Sequence, residues 1–404
     1  MLIKGFTIKN FRGIKEMTVD ELHPRVNLFV GVNGAGKSSV LDAISNVFSW
    51  FVARMQSPSG RGRDIPQDDI RIGAKEGCVI SLNMGNAGQW SLYRSRERKK
   101  DGRSDLSSMN SVIKDYWQRG YDNPESPVPV IVHYRVERSV TDIPLKIRKK
   151  QITSTYDAYQ NALHSTASFR DFFSWFREQE DLENERIRKE RDYRDSGLEA
   201  IRKAMSMVFP DYSDLRVNRK PQSLLITKNG ESLKLSQLSD GEKCYIALIS
   251  DLVRRLYIAN PGKDPLSGEG IVLIDEVDLH LHPQWQLDIV SRLKTVFANC
   301  QFILTTHSPI VASDAPGKVY ELIGGDAYET KVFGKKSEDI LSSTFGVSNP
   351  RNKSVQNDIE LAYKAIYGGD QELFEQLLHS LTETLGASDL DVARLRLEYR
   401  RRHL

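Results

Sequence analysis

Short unbroken apolar runs alternate with amphipathic stretches along this 404-residue chain. Val26–Val30, Val128–Tyr134, Gly270–Ile274 and Gln301–Thr305 are apolar with little polar interruption. Such runs mark strands covered on both faces, whereas a strand with one wet face alternates. Val79 to Arg94 predicts a short β-hairpin or meander belonging to a β lobe of the same domain. Helical spacing runs from Ser39 to Phe48. It returns after Glu242, where Tyr245, Leu248, Ile249, Leu252, Val253 and Leu256 share one face. Residues 156–208 also read as helical, with Phe169, Phe172, Phe173, Trp175 and Phe176 on an apolar face and a charged stretch from Glu178 to Arg202. Further on, Asp370 caps a helix bearing Leu373, Phe374, Leu377, Leu378, Leu381 and Leu385, and Gly386 stops it. Another helix ends in Arg400-Arg401-Arg402. Strands alternating with helices predict an α/β fold built on a parallel or mixed sheet, with a helical insert and a helical tail.

Chemistry gathers where the apolar runs end. Between the run Val26–Val30 and the helix from Ser39 lies Gly31-Val32-Asn33-Gly34-Ala35-Gly36-Lys37-Ser38, a complete G-x-x-x-x-G-K-[ST] pattern. A strand, a glycine-rich turn and a helix start aim backbone N–H groups, here from Asn33, Gly34 and Gly36 to Ser39, at a phosphate. Lys37 is placed to reach the β- and γ-phosphates of ATP, and the Ser38 hydroxyl to ligate Mg²⁺. The run Gly270–Ile274 ends in Asp275 and Glu276. Ligands of parallel sheets bind beyond the carboxyl ends of the strands. Asp275 there would hold Mg²⁺ through water, and Glu276 would act as general base on the attacking water. The run from Gln301 leads through Thr305-Thr306 to His307, whose neutral imidazole can bond a γ-phosphate oxygen. In Leu238-Ser239-Asp240-Gly241-Glu242-Lys243, Ser239 and Glu242 form the S-x-x-E box of a helix start, which is also an anion site.

Together these segments resemble the Walker A, signature, Walker B and switch-histidine elements of ABC-type ATPases. The signature L-S-G-G-Q of that family reads here with Asp240 for a glycine and Glu242 for the glutamine. That departure is usual in the branch holding SMC-like, RecF-like and OLD-like ATPases. The opening Ile8-Lys9-Asn10-Phe11-Arg12-Gly13-Ile14 is similar to the start of that branch, where the arginine lies near the phosphates. The resemblance implies an ABC-type head over 1–150 and 216–335, with an insert over 151–215 and a partner-binding tail over 336–404. It also implies a symmetric homodimer sandwiching ATP head to tail, in which Ser239 and Gly241 of one subunit complete the γ-phosphate site of the other. Asp278-Leu279-His280-Leu281-His282-Pro283 falls at the D-loop, and Gln67 is the candidate Q-loop ligand of Mg²⁺. His280 and His282 have no further ligand cluster nearby, so zinc is not expected.

Composition narrows the class. The net charge of +3 is too small for a polycation, and Cys78, Cys244 and Cys300 show no metal-binding spacing and suit a reducing compartment. No apolar h-region opens the chain and no run approaches a membrane span, so a cytoplasmic protein without membrane association is expected. The insert is far too short for the long coiled coil of SMC proteins. After His307, the Toprim nuclease of OLD proteins would need a Glu and a D-x-D on successive strands. Asp389-Leu390-Asp391 lies in a helical segment, so no intrinsic nuclease is expected. A compact head with a short insert, from Phe169 to Glu185, and a tail through Phe345-Gly346-Val347 resembles the PtuA ATPases of Septu and retron-associated anti-phage systems. That family implies an HNH nuclease partner held by the tail, and in a retron setting a reverse transcriptase and its DNA product. A RecF-like DNA clamp and a nucleotide-gated scaffold with little turnover are the alternatives. The basic segments Arg94–Lys100 and Lys146–Lys150 suit DNA or a partner's acidic face equally.

Overall fold

The computed structural model describes residues 1–96, 102–136, 154–163, 169–220, 222–346 and 351–403. The part of the basic segment Arg94–Lys100 that follows Arg96, all of Lys146–Lys150 and Val347 lie outside the described residues. The chain divides into two compact units, Met1–Ile340 and Leu341–Leu404.

The first unit opens with strands β1 (Gly5–Phe11), β2 (Ile14–Val19) and β3 (Val26–Val30), then helix α1 (Lys37–Gln56). Strands β4 (Cys78–Asn83) and β5 (Gln89–Arg94), helix α2 (Ser107–Asp122) and strand β6 (Val130–Tyr134) follow. The insert supplies α3 (Phe169–Ile187) and α4 (Ser196–Val208), then β7 (Tyr212–Arg219), β8 (Gln222–Lys228) and β9 (Glu231–Lys234). After α5 (Asp240–Ala259) come β10 (Gly270–Ile274), α6 (Pro283–Val296), β11 (Cys300–Thr305) and α7 (Pro309–Asp314). The strands β12 (Lys318–Ile323) and β13 (Asp326–Thr330) follow, and helix α8 (Ser337–Ser343) runs across the boundary between the two units.

The central sheet has the order β13-β12-β3-β11-β10-β6, all parallel except β13. Every residue of β3, β6, β10 and β11 is buried, as their continuous apolar runs predict. Their two buried amides are satisfied. Asn27 exchanges hydrogen bonds with the His23 backbone, and Gln301 binds the backbone of Ile3 and His23, tying the first residues to the sheet's entry edge. A second, antiparallel sheet in the order β2-β1-β4-β5 forms the predicted lobe. A third sheet, β7-β8-β9, was not anticipated: a helical insert was expected as far as residue 215.

Helix α5 buries charge as well as apolar surface. Asp251 is fully buried, with Arg254 at 2.9 Å, Arg255 at 2.7 Å and the Tyr134 hydroxyl at 3.0 Å. Arg255 also donates to the carbonyls of Ala158 and Gln160. Breaking one partner of such a cluster leaves an uncompensated buried charge, so α5, β6 and the 158–160 segment are pinned in one arrangement.

The second unit contains α9 (Lys353–Gly368), α10 (Gln371–Leu385) and α11 (Leu390–His403) around a core that includes Ile359, Ile366, Phe374, Leu381, Val392 and Leu395. Phe374 stacks on Tyr399, with ring centroids 4.4 Å apart. Asp370 caps α10 through the Leu373 N–H, and Gly386 ends it with φ 87°.

Candidate functional site

The phosphate loop follows β3. Gly31, Gly34 and Gly36 all take positive φ, and a Cβ on Gly31 would stand 3.0 Å from the Leu322 carbonyl oxygen. Both conditions demand glycine there. Among the described residues no side chain caps α1 and its first turn holds no acid, so its N–H groups face an anion uncontested. Asn33, Gly34 and Ser38 are exposed, and Ser39 is half-buried. Lys37 is buried and donates through Nζ to the carbonyls of Gly31 (2.8 Å) and Val32 (3.1 Å), with His307 Nδ1 at 3.4 Å. Burial lowers its pKa, and Glu276, Asp275 and Asp278 oppose that shift.

Parallel pairing of β10 with β11 sets Ile274 beside Leu304, so the residues that follow each strand are neighbours. The Thr305 hydroxyl donates to Asp275 Oδ1 at 2.5 Å and accepts the Glu276 N–H at 2.7 Å. Glu276 itself takes φ 47°, a left-handed conformation costly for a residue with a Cβ and one that clusters at functional sites. Its Oε1 lies 4.0 Å from His307 Nε2. Burial and the nearby Lys37 both lower the His307 pKa, favouring the neutral imidazole. Asp278 accepts from the Thr306 hydroxyl and the His307 N–H, fixing the backbone that carries the histidine. Lys37, Asp275, Glu276 and His307 are thus brought together. Thr305 and Thr306 were given no role by sequence reasoning, the polar Thr-Thr pair closing an apolar strand being the available signal, while Asp278 belongs to the segment expected as the D-loop.

At the signature, Ser239 is the N-cap of α5 in a full capping box. Its hydroxyl and its N–H both donate to Glu242 Oε2 at 2.7 Å. Glu242 Oε1 takes the Tyr212 hydroxyl and Lys228 Nζ, so β7 and β8 brace the signature. Burial would raise the Glu242 pKa, but the hydrogen bonds from Lys228, Tyr212 and Ser239 bring it down to about 2. A Cβ on Gly241 would lie 2.1 Å from the carbonyl oxygen of His280, itself at φ 61°. Gly241 is therefore required by a contact within its own chain.

Arg12 sits in the two-residue turn between β1 and β2 at φ 48°. It donates to Asp42 on α1 (2.7 Å) and to Asp69 (2.8 Å). Gln67 is exposed, its amide engaged with Arg94 and the Arg96 carbonyl, and no described contact brings it to Ser38 or Asp275. Hard oxygen donors from Ser38 and Asp275 suit Mg²⁺, which is commonly held by one or two protein groups plus substrate phosphates. Among the described residues no three His, Cys, Asp or Glu side chains group as a metal site.

A family model described as "AAA domain, putative AbiEii toxin, Type IV TA system" matches residues 26–313. The chain belongs to this AAA family of P-loop ATPases. One relative of this AAA protein is the "Retron Ec83 probable ATPase" of Escherichia coli, 30% identical and covering 98% of this chain and 86% of the relative. The "Retron Vc95 probable ATPase" of Vibrio cholerae serotype O1 biovar El Tor is 28% identical, covering 84% and 78%. "Septu protein PtuA" of Bacillus mycoides is 27% identical over 85% of this chain and 44% of its own length. Among the described residues of this AAA protein, no helix is long and apolar enough to cross a membrane.

Proposed function

We propose that this AAA protein is the ATP-hydrolysing sensor subunit of an anti-phage defence complex, closing head to tail as a homodimer around ATP and controlling an HNH nuclease. The observation that carries the catalytic part is the convergence of Lys37, Asp275, Glu276 and His307 at the carboxyl edge of the parallel sheet. Relatives named as retron ATPases and as Septu PtuA support the defence setting. The one set of motifs in the chain favours identical subunits over a heterodimer.

In this mechanism the loop N–H groups and Lys37 bind the phosphates, Lys37 turning from the Gly31 and Val32 carbonyls toward them. Ser38 and, through water, Asp275 would hold Mg²⁺, which when bound would offset charge on the phosphate oxygens. Glu276 takes a proton from water as the water oxygen bonds the γ-phosphorus; the bond to the bridging oxygen breaks and ADP departs. His307 donates to a γ-phosphate oxygen and so distinguishes ATP from ADP. Ser239 and the Gly241 backbone of the second subunit complete the site, so loss of the γ-phosphate loosens the dimer and changes the restraint on the nuclease. The tail is the proposed nuclease-holding unit, and a reverse transcriptase with its DNA product is a further partner in a retron setting.

The test combines nucleotide binding, turnover and mass in solution. Lys37→Ala abolishes ATP binding; Glu276→Gln keeps binding and accumulates an ATP-dependent dimer; Ser239→Arg binds ATP without hydrolysing it. Wild-type turnover in Ser239→Arg would refute the shared site. Purification with the flanking gene products tests the nuclease: recovery of the ATPase alone, or with DNA only, would refute that partner.

A further inference from the structure

In the head-to-tail dimer proposed above, the start of α1 in one subunit and the start of α5 in the other face the same phosphate. Their charges differ. The first turn of α1 holds no acid, while that of α5 holds Asp240 and Glu242. Acids there suit the helix dipole, but they repel an incoming phosphate. Each is met by a lysine, Asp240 by Lys243 at 3.1 Å and Glu242 by Lys228 Nζ at 2.5 Å. The first pair lies on the helix surface, with the Asp240 side chain 87% exposed, and such pairs contribute little. The second reaches in from the end of β8 to a carboxylate only 12% exposed. Among the described residues, Lys228 is the one cation in salt-bridge contact with Glu242.

Glu242 also competes with that phosphate. The Ser239 hydroxyl and N–H are both given to its Oε2 at 2.7 Å, and a hydroxyl has one proton to donate. A signature bonded in this way keeps its Ser239 donors within its own subunit. The other carboxylate oxygen, Oε1, takes Lys228 and the Tyr212 hydroxyl, so Glu242 stays hydrogen-bonded and neutralised when Ser239 turns away. We infer that Lys228 is a positioning residue of the shared site. It offsets the Glu242 charge, so that Ser239 passes its hydrogen bond from this carboxylate to the terminal phosphate of ATP held by a second copy of the chain. This rests on the head-to-tail reading above. Lys228 Nζ also lies 5.5 Å from the centre of the Tyr212 ring, so packing against that ring is the rival role.

The test is a double-mutant cycle on the full chain, with ATP turnover and ADP affinity measured for each variant. Like charges brought together across an interface are strongly disfavoured, so Lys228→Met should lower turnover at least roughly tenfold. Lys228→Arg, which keeps the cation, should stay within about threefold of wild type. Affinity for ADP, which lacks the γ-phosphate, should stay within about threefold in both variants. In a Glu242→Gln background, where no charge needs offsetting, Lys228→Met should change turnover by less than about threefold. A loss of equal size in the two backgrounds would overturn the inference and leave Lys228 as packing for Tyr212. So would near-wild-type turnover in Lys228→Met, or a matching fall in its ADP affinity. Complete loss of turnover in Glu242→Gln alone would overturn it too, because the carboxylate would then be required. Wild-type turnover in Ser239→Arg, or none in the unmodified protein, would overturn the shared-site reading and this inference together.

Discussion

Replacing Thr305 by valine keeps the shape of a buried side chain and deletes one hydroxyl. That hydroxyl serves both residues after β10, donating to the Asp275 carboxylate and accepting the Glu276 backbone N–H. The second bond matters most, because Glu276 is held in a left-handed conformation. Backbone strain of this kind costs roughly 1–3 kcal/mol and persists only where neighbouring groups enforce it. Without Thr305, Glu276 relaxes toward ordinary φ and its carboxylate leaves the position facing His307. At about 1.4 kcal/mol per tenfold, recovering that alignment lowers turnover by roughly 10- to 100-fold. Serine supplies the same oxygen, so Thr305→Ser should retain most of the rate. Steady-state ATP turnover with a urea titration of each variant separates the effect from global stability. Equal turnover in Thr305→Val and Thr305→Ser would refute the reasoning, as would a loss explained wholly by unfolding.

Two further predictions concern the signature. Gly241→Ala places a methyl 2.1 Å from the His280 carbonyl oxygen, so the start of α5 must separate from that segment; stability should fall by roughly 1–3 kcal/mol, read by urea denaturation, and wild-type stability would contradict the contact. Glu242 is held at about 2, below the value of an unfolded glutamate, so its contribution to stability is complete above the unfolded pKa and is lost as pH falls through about 2. The stability gap between wild type and Glu242→Gln should therefore be constant near neutrality and shrink on acidification below the usual carboxylate range. A gap that widened on acidification would contradict the assigned hydrogen bonds.

The central sheet was legible because its strands are buried on both faces and so carry continuous apolar runs. The phosphate loop was legible because glycine positions are dictated by backbone geometry, as Gly31 shows. The third sheet was not read, although Asn229-Gly230, both at positive φ, is a strong hairpin signal between β8 and β9. Its strands are short and their apolar positions few, so helical spacing upstream dominated the reading. Partnerships between distant residues left no local trace. Asp42 reads as an ordinary helix residue until β1, β6 and α1 bring Arg12 and Arg135 to it. Gly241 reads as an anion-site glycine, while its close contact is with a carbonyl in its own chain.

That contact has a consequence for how this protein comes apart. The His280 carbonyl presses on Gly241 with less room than a methyl needs, and Asp278, two residues earlier, is bonded to Thr306 and the His307 backbone. The start of α5, the turn after β10 and the end of β11 therefore lack the freedom to open separately. Amide hydrogen exchange across these three segments should report a single opening event with one free energy, despite their separation along the chain.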